Sequence, residues 1–179
     1  MDVTKFSQKT KLEAEDLLKY GDVIKVLSKY GNLLITGSYK YDLMYGPDID
    51  LVVLTDNPEK SSFGAFFDFI KQRKFQKYQL GDFAKFPRKD RPKNIIVVLI
   101  HEYKGRRWEI EIWFKESLSN NDICFEGLIS KATEKQKGVM LELKHQRDVG
   151  GISKHKLDSA AIYKGVLSEG KTKLKDFKL

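Results

Sequence analysis

The chain has 179 residues, 33 of them Lys or Arg and 25 Asp or Glu, for a formal charge of +8. With 41% hydrophobic and 32% charged residues it has the profile of one globular domain, able to bury a core without staples. Its longest apolar run, Ile95 to Ile100, falls far short of a bilayer span. No apolar segment of signal-peptide type follows Met1, and the lone Cys124 excludes an internal disulfide, so a cytoplasmic protein is expected.

In chain order, Leu12, Leu17 and Leu18, then Val23, Ile24 and Leu27, predict two amphipathic helices broken near Gly21. Leu33 to Thr36 reads as a compact strand, followed by a Gly37-Ser38 turn and a tyrosine-rich connection. Asp48 to Leu54 reads as a second, central strand. Ser61 or Ser62 is placed to cap a helix through Phe63, Phe66, Phe67 and Ile70, and the aromatic cluster Phe63, Phe66, Phe67 and Phe69 is expected in the core. Residues 75 to 93 predict a short strand and a long basic loop. Asn94 to Tyr103 and Arg106 to Phe114 form a hairpin around Lys104-Gly105. Helices follow over 122–131, 133–147 and from Asp158-Ser159 to Gly170, with Gly150-Gly151 as a hinge. Helices at both ends of a run of strands make the fold class α+β.

The charge is uneven. Residues 71–93 carry +7 and residues 131–179 carry +6, leaving −5 on the rest. A basic surface suits nucleic acid, nucleotide phosphates or an acidic partner, and charge alone does not choose between them.

The chemistry lies in Leu33-Leu34-Ile35-Thr36-Gly37-Ser38, a nine-residue gap, and Asp48-Ile49-Asp50-Leu51-Val52-Val53-Leu54. Residues two apart on a strand share a face, so Asp48 and Asp50 project together while Ile49 and Leu51 face the core. Carboxylates held that close repel and raise each other's pKa, and a divalent cation relieves the repulsion. The glycine lets a phosphate approach the main chain. A third acid comes from the hairpin strand, where Glu109 and Glu111 share one face and Ile110 and Ile112 the other. The histidines are scattered without ligand spacing, which argues against zinc. Cys124 reads as a buried or inert thiol. Trp108 and Trp113 fall on opposite faces of the strand, Trp113 being the one free to line an acceptor side.

This ordered set resembles the nucleotidyltransferase superfamily, the DNA polymerase beta-like fold that includes poly(A) polymerases and minimal nucleotidyltransferases. The resemblance spans roughly residues 31 to 114. It implies a polymerase beta-like palm, a mixed sheet flanked by helices, over residues 1–118, with a helical C-terminal extension over 119–179 packing on it. It implies that Gly37 and Ser38 hold a nucleoside triphosphate and that Asp48 and Asp50 bind two Mg²⁺ ions, with Mn²⁺ as the alternative. Glu111 is the implied third ligand, with Glu109 as the fallback because alarmone synthetases place their acid at the start of a similar strand. Pro47 stands where family members often have Ser, and the third acid is Glu where Asp is commoner. Lys40 and Tyr41 are placed for the triphosphate or base, and Lys85, Arg88, Lys89, Arg91 and Lys93 for the rim of the cleft.

The expected activity is transfer of a nucleoside monophosphate from an NTP to a small molecule, a protein or an RNA end, with release of pyrophosphate. ATP is among the candidate donors and nucleic acid among the candidate partners. The competing reading is a catalytically silent member of the fold, such as a toxin–antitoxin component or an RNA-binding protein acting through its basic surface.

Overall fold

The computed structural model describes residues 1–87 and 94–177. Helix α1 (Val3–Tyr20), capped by the Asp2 side chain, leads to the short α2 (Val23–Leu27). Strand β1 (Asn32–Ile35) and a single helical turn, α3 (Gly37–Lys40), precede β2 (Asp48–Leu54). Helix α4 (Pro58–Gln72) and strands β3 (Lys77–Asp82), β4 (Ile95–Tyr103) and β5 (Arg106–Lys115) follow. Three helices complete the chain: α5 (Asn120–Ile129), α6 (Glu134–Val149) and α7 (Ser159–Glu169), with a terminal 3₁₀ turn at Leu174–Asp176.

The strands form one sheet in the order β1-β2-β5-β4-β3, antiparallel except for the β2–β5 pair. This is the α+β architecture, a mixed sheet flanked by helices, that the sequence predicts. One face is dry. Ile49, Leu51 and Val53 of β2, Val97 and Leu99 of β4, and Trp108, Ile110, Ile112 and Phe114 of β5 pack against Leu17, Leu18, Val26, Ala65 and Phe69 of the first, second and fourth helices. Alternation on β2 and β5 therefore turns Asp48, Asp50, Glu109 and Glu111 to the opposite face.

A second core joins the C-terminal helices to the connection before β2. Tyr41 and Leu43 pack with Ile129, Met140, Leu141, Leu143, Leu157, Ile162 and Val166. This seam brings α6 and α7 to the end of the sheet where β2 begins.

Two local expectations are corrected. Helix α4 is capped by Asn57, whose side chain accepts the Lys60 N–H at 2.9 Å, one turn before Ser61 and Ser62. Of the aromatic cluster expected in the core, Phe69 is buried and Phe66 packs against it, while Phe63 and Phe67 are exposed.

Candidate active site

Asp48 and Asp50 stand at the start of β2, and the parallel register sets Asp48 beside Glu109 and Asp50 beside Glu111. Neighbouring strands lie only about 4.8 Å apart, so the alternation that buries Ile49 and Ile110 gathers the acids on one face. The Asp50 carboxyl is pushed up to about 6 by burial first, then by the charges of Asp48 and Glu111. Glu109 is exposed and lies at the outer end of the set.

The main chain closes on both aspartates through glycines. Gly37 has φ of +65°, and a Cβ there would sit 2.2 Å from Asp50 Oδ2. A Cβ at Gly46 would sit 2.3 Å from Asp48 Oδ1. Thr36 pins the approach, its N–H and its hydroxyl both donating to the Asp50 carbonyl at 3.2 and 3.1 Å. Ser38 is buried, and its carbonyl accepts the Leu43 N–H at 2.9 Å.

Lys40 reaches across to α5, where it and the Tyr41 hydroxyl both donate to Glu126. That pairing raises the Lys40 pKa and ties the turn after Gly37 to the C-terminal helices. Asp50, Gly37 and Lys40 open into a cavity of about 840 Å³ whose far walls include Trp113, Phe125 and Glu126. It offers an apolar floor beside the acids, and Trp113 does face this side of the sheet.

Three further groups converge from the C-terminal helices. Lys144 is buried on α6 and donates to the Leu43 carbonyl at 2.7 Å. Burial pulls its pKa down to about 7, opposed most by the charge of Asp48. Its ammonium lies 4.9 Å from the ring centre of Tyr163. The Tyr163 hydroxyl is buried, and burial with the charges of Asp48 and Asp50 drives its pKa upward. Lys154, on the loop between α6 and α7, places its Nζ 3.8 Å from Asp48 Oδ1. The signal for Lys144 is present in the sequence: with Arg147 it falls on the apolar stripe of Met140, Leu141 and Leu143, where a cation is out of place unless it is buried with partners. Lys154 has no such mark.

The donor set fits a divalent cation. Asp48, Asp50 and Glu111 supply hard oxygen donors, and burial, then the charges of Asp48 and Glu111, disfavour the charged form of Asp50. Among the described residues no three His, Cys, Asp or Glu side chains form a ready-made metal cage. Mg²⁺ does not need one, because it keeps several waters and takes one or two carboxylates together with substrate phosphates.

Other expected residues lie elsewhere. Lys85 is not on this rim: it follows β3, its N–H donating to Asp82, and lines a separate hollow with Asp56, Glu59 and Glu116. The antiparallel β3 ends at the edge of the sheet, level with the C-terminal ends of β2 and β5 and away from Asp48. Arg88 and Arg91, with Lys89 and Lys93, lie outside the described residues. Cys124 is exposed, not buried. His145 is taken up by a 2.6 Å contact between its Nδ1 and the Tyr45 hydroxyl, and His101 by rings of Tyr20, Phe75 and Tyr103.

No protein-family model and no curated protein matches this sequence. Solved structures do match it. The Cid1 poly(U) polymerase, in a structure with Mg and 3′-dATP bound, superposes with a TM-score of 0.64 at 20% identity, over 92% of this chain and 54% of that one. The polymerase core of TRAMP, an RNA surveillance complex, gives 0.57 at 19% identity over 88% and 48%. A cytoplasmic RNA terminal U-transferase gives 0.53 at 20% identity over 84% and 47%. The chain spans about half the length of each. Its fold is therefore the polymerase beta-like nucleotidyltransferase fold that the Gly-Ser, Asp-x-Asp and Glu-strand pattern resembles. No described helix is long and apolar enough to cross a membrane.

Proposed function

We propose that the protein transfers a nucleoside monophosphate from an NTP to an acceptor hydroxyl, with an RNA 3′ end as the leading acceptor. The observation that carries the reading is the register of two parallel strands, which sets Asp50 beside both Asp48 and Glu111 on one face of the sheet. The likeness to enzymes named for poly(U) and terminal U transfer supports RNA over a small molecule or a protein.

Asp48, Asp50 and Glu111 would hold two Mg²⁺ ions, which supply charge stabilisation at the attacking and leaving oxygens of an in-line displacement. Gly37 leaves the main chain bare, which lets the Asp50 carboxylate close on the turn that would cradle the phosphates. Lys144 is pre-set by the Leu43 carbonyl and brings its ammonium to the same end of the sheet, where it balances phosphate charge without rearranging. Glu111 would orient the acceptor hydroxyl, and the apolar cavity walls would receive the base. Lys40 acts through Glu126, fixing the turn that carries Gly37 and Ser38.

The test is to incubate the protein with Mg²⁺ and each labelled NTP in turn, with RNA bearing either a free or a periodate-oxidised 3′ end and with protein and metabolite fractions alongside. Label confined to the free 3′ end supports the reading. Label in the protein or metabolite fraction instead would assign a different acceptor, and label nowhere would remove the transferase reading.

A further inference from the structure

We propose that Lys154 is a tethered stand-in cation, which holds Asp48 in the resting protein and moves to the outer phosphates when nucleotide arrives, so that metal enters with nucleotide and not ahead of it. This rests on the transferase reading of the same site.

Among the described residues, two cations near Asp48 are built differently. Lys144 is buried, and its ammonium is fixed on a main-chain carbonyl. Lys154 has a side chain 60% exposed, and it pairs with an Asp48 carboxylate that is itself 45% exposed. Its backbone is nonetheless anchored. The Ile152 N–H donates to the Arg147 carbonyl at 3.0 Å, and the buried Arg147 guanidinium donates to the Leu157 carbonyl at 3.2 Å. The Leu157 N–H donates back to Ser153 at 3.2 Å, and Leu157 itself is buried in the second core. A fixed Cα with an exposed four-carbon stem gives an ammonium that sweeps a short arc across the mouth of the site. Gly46 keeps the gap open: a Cβ there would lie 2.3 Å from Asp48 Oδ1 and 3.5 Å from Lys154 Nζ.

The consequence follows from sign. A Lys ammonium beside Asp48 repels a bare divalent ion, so it lowers the affinity of the acids for free metal. A triphosphate reverses the sign, because its outer oxygens attract the same ammonium as a point charge. Lys154 therefore yields Asp48 only when phosphate is present to receive it, and the ordered entry is set by one exposed side chain.

The test uses the whole chain and probes that need no choice of base. Mn²⁺ alone is titrated by electron paramagnetic resonance, and Mn²⁺ with tripolyphosphate by calorimetry, for the wild type, Lys154→Met, Lys154→Arg and Asp50→Asn. Lys154→Met is expected to bind Mn²⁺ alone about threefold to tenfold tighter than wild type, and Mn²⁺–tripolyphosphate about fivefold weaker. Lys154→Arg is expected to stay near wild type in both. Equal or weaker Mn²⁺ binding by Lys154→Met, or unchanged tripolyphosphate affinity, overturns the exchange alone. Mn²⁺ binding that Asp50→Asn leaves unaltered overturns the metal site, and the exchange with it.

Discussion

At the scale of the residue, Asp50 concentrates the physics of the site. Its acid is held well above the ordinary 3.8, to about 6, so the folded chain favours its protonated form. That contribution to stability is complete below about pH 4 and is lost as pH rises through about 6. Thermal melts in a chelator should therefore show wild type losing stability between about pH 4 and pH 7, while Asp50→Asn stays flatter. A parallel loss in Asp50→Asn would assign the pH dependence to other groups. Gly37 answers to the same carboxylate. Gly37→Ala forces a Cβ to 2.2 Å from Asp50 Oδ2 at φ of +65°. The left-handed backbone alone costs about 1–2 kcal/mol. Urea unfolding should show at least that loss, and nucleotidyl transfer should fall with it. The sequence makes the Asp pair and Gly37 visible because alternation and a glycine turn are local signals. It leaves Glu109 and Glu111 equivalent, because parity assigns a face and only strand register assigns a neighbour.

At the scale of the element, the start of β5 is locked to α1. Arg106 donates to Thr10 at 3.1 Å and Glu13 at 3.0 Å, with its guanidinium over Phe6 and Trp108. The Glu13 side chain is only 9% exposed, so removing its partner leaves a buried charge. Arg106→Met is expected to cost about 3–5 kcal/mol in urea unfolding, and Glu13→Gln with Arg106→Met together less than the two singly. A loss near zero for Arg106→Met would show that the pair is solvated. Most elements were legible in the sequence: β2, β4 and β5 through apolar runs and alternation, α7 through Asp158 ahead of it and Gly170 behind it. Helix α4 starts before the serines that pattern alone favours, because Asn57-Pro58 reads equally as a strand terminator and as a cap with proline in the first turn. Phe63 and Phe67 fall on the outer face, since spacing shows a stripe without showing which stripe is covered.

At the scale of the whole molecule, the second core has a chemical consequence. By packing Leu43 and Tyr41 against α6 and α7, it carries Lys144, Lys154 and Tyr163 to the acids of a distant sheet. No sequence pattern states that contact, because it depends on how two cores dock. The basic surplus of +8 thereby acquires a partial address: two of the C-terminal lysines face the acidic end of β2. Long-range placement of cation against carboxylate is what makes a triphosphate site reasonable here, where net charge alone left several partners open.

The most direct measurement is the rate of Mg²⁺-dependent label transfer from NTP to RNA 3′ ends by wild type, Asp48→Asn, Asp50→Asn, Glu111→Gln and Glu109→Gln, each checked for folding. The first three substitutions are expected to lower the rate roughly a thousandfold or more, and Glu109→Gln to lower it by less than about tenfold. Transfer that survives Asp50→Asn, or that proceeds equally well in chelator, would contradict the proposed metal site.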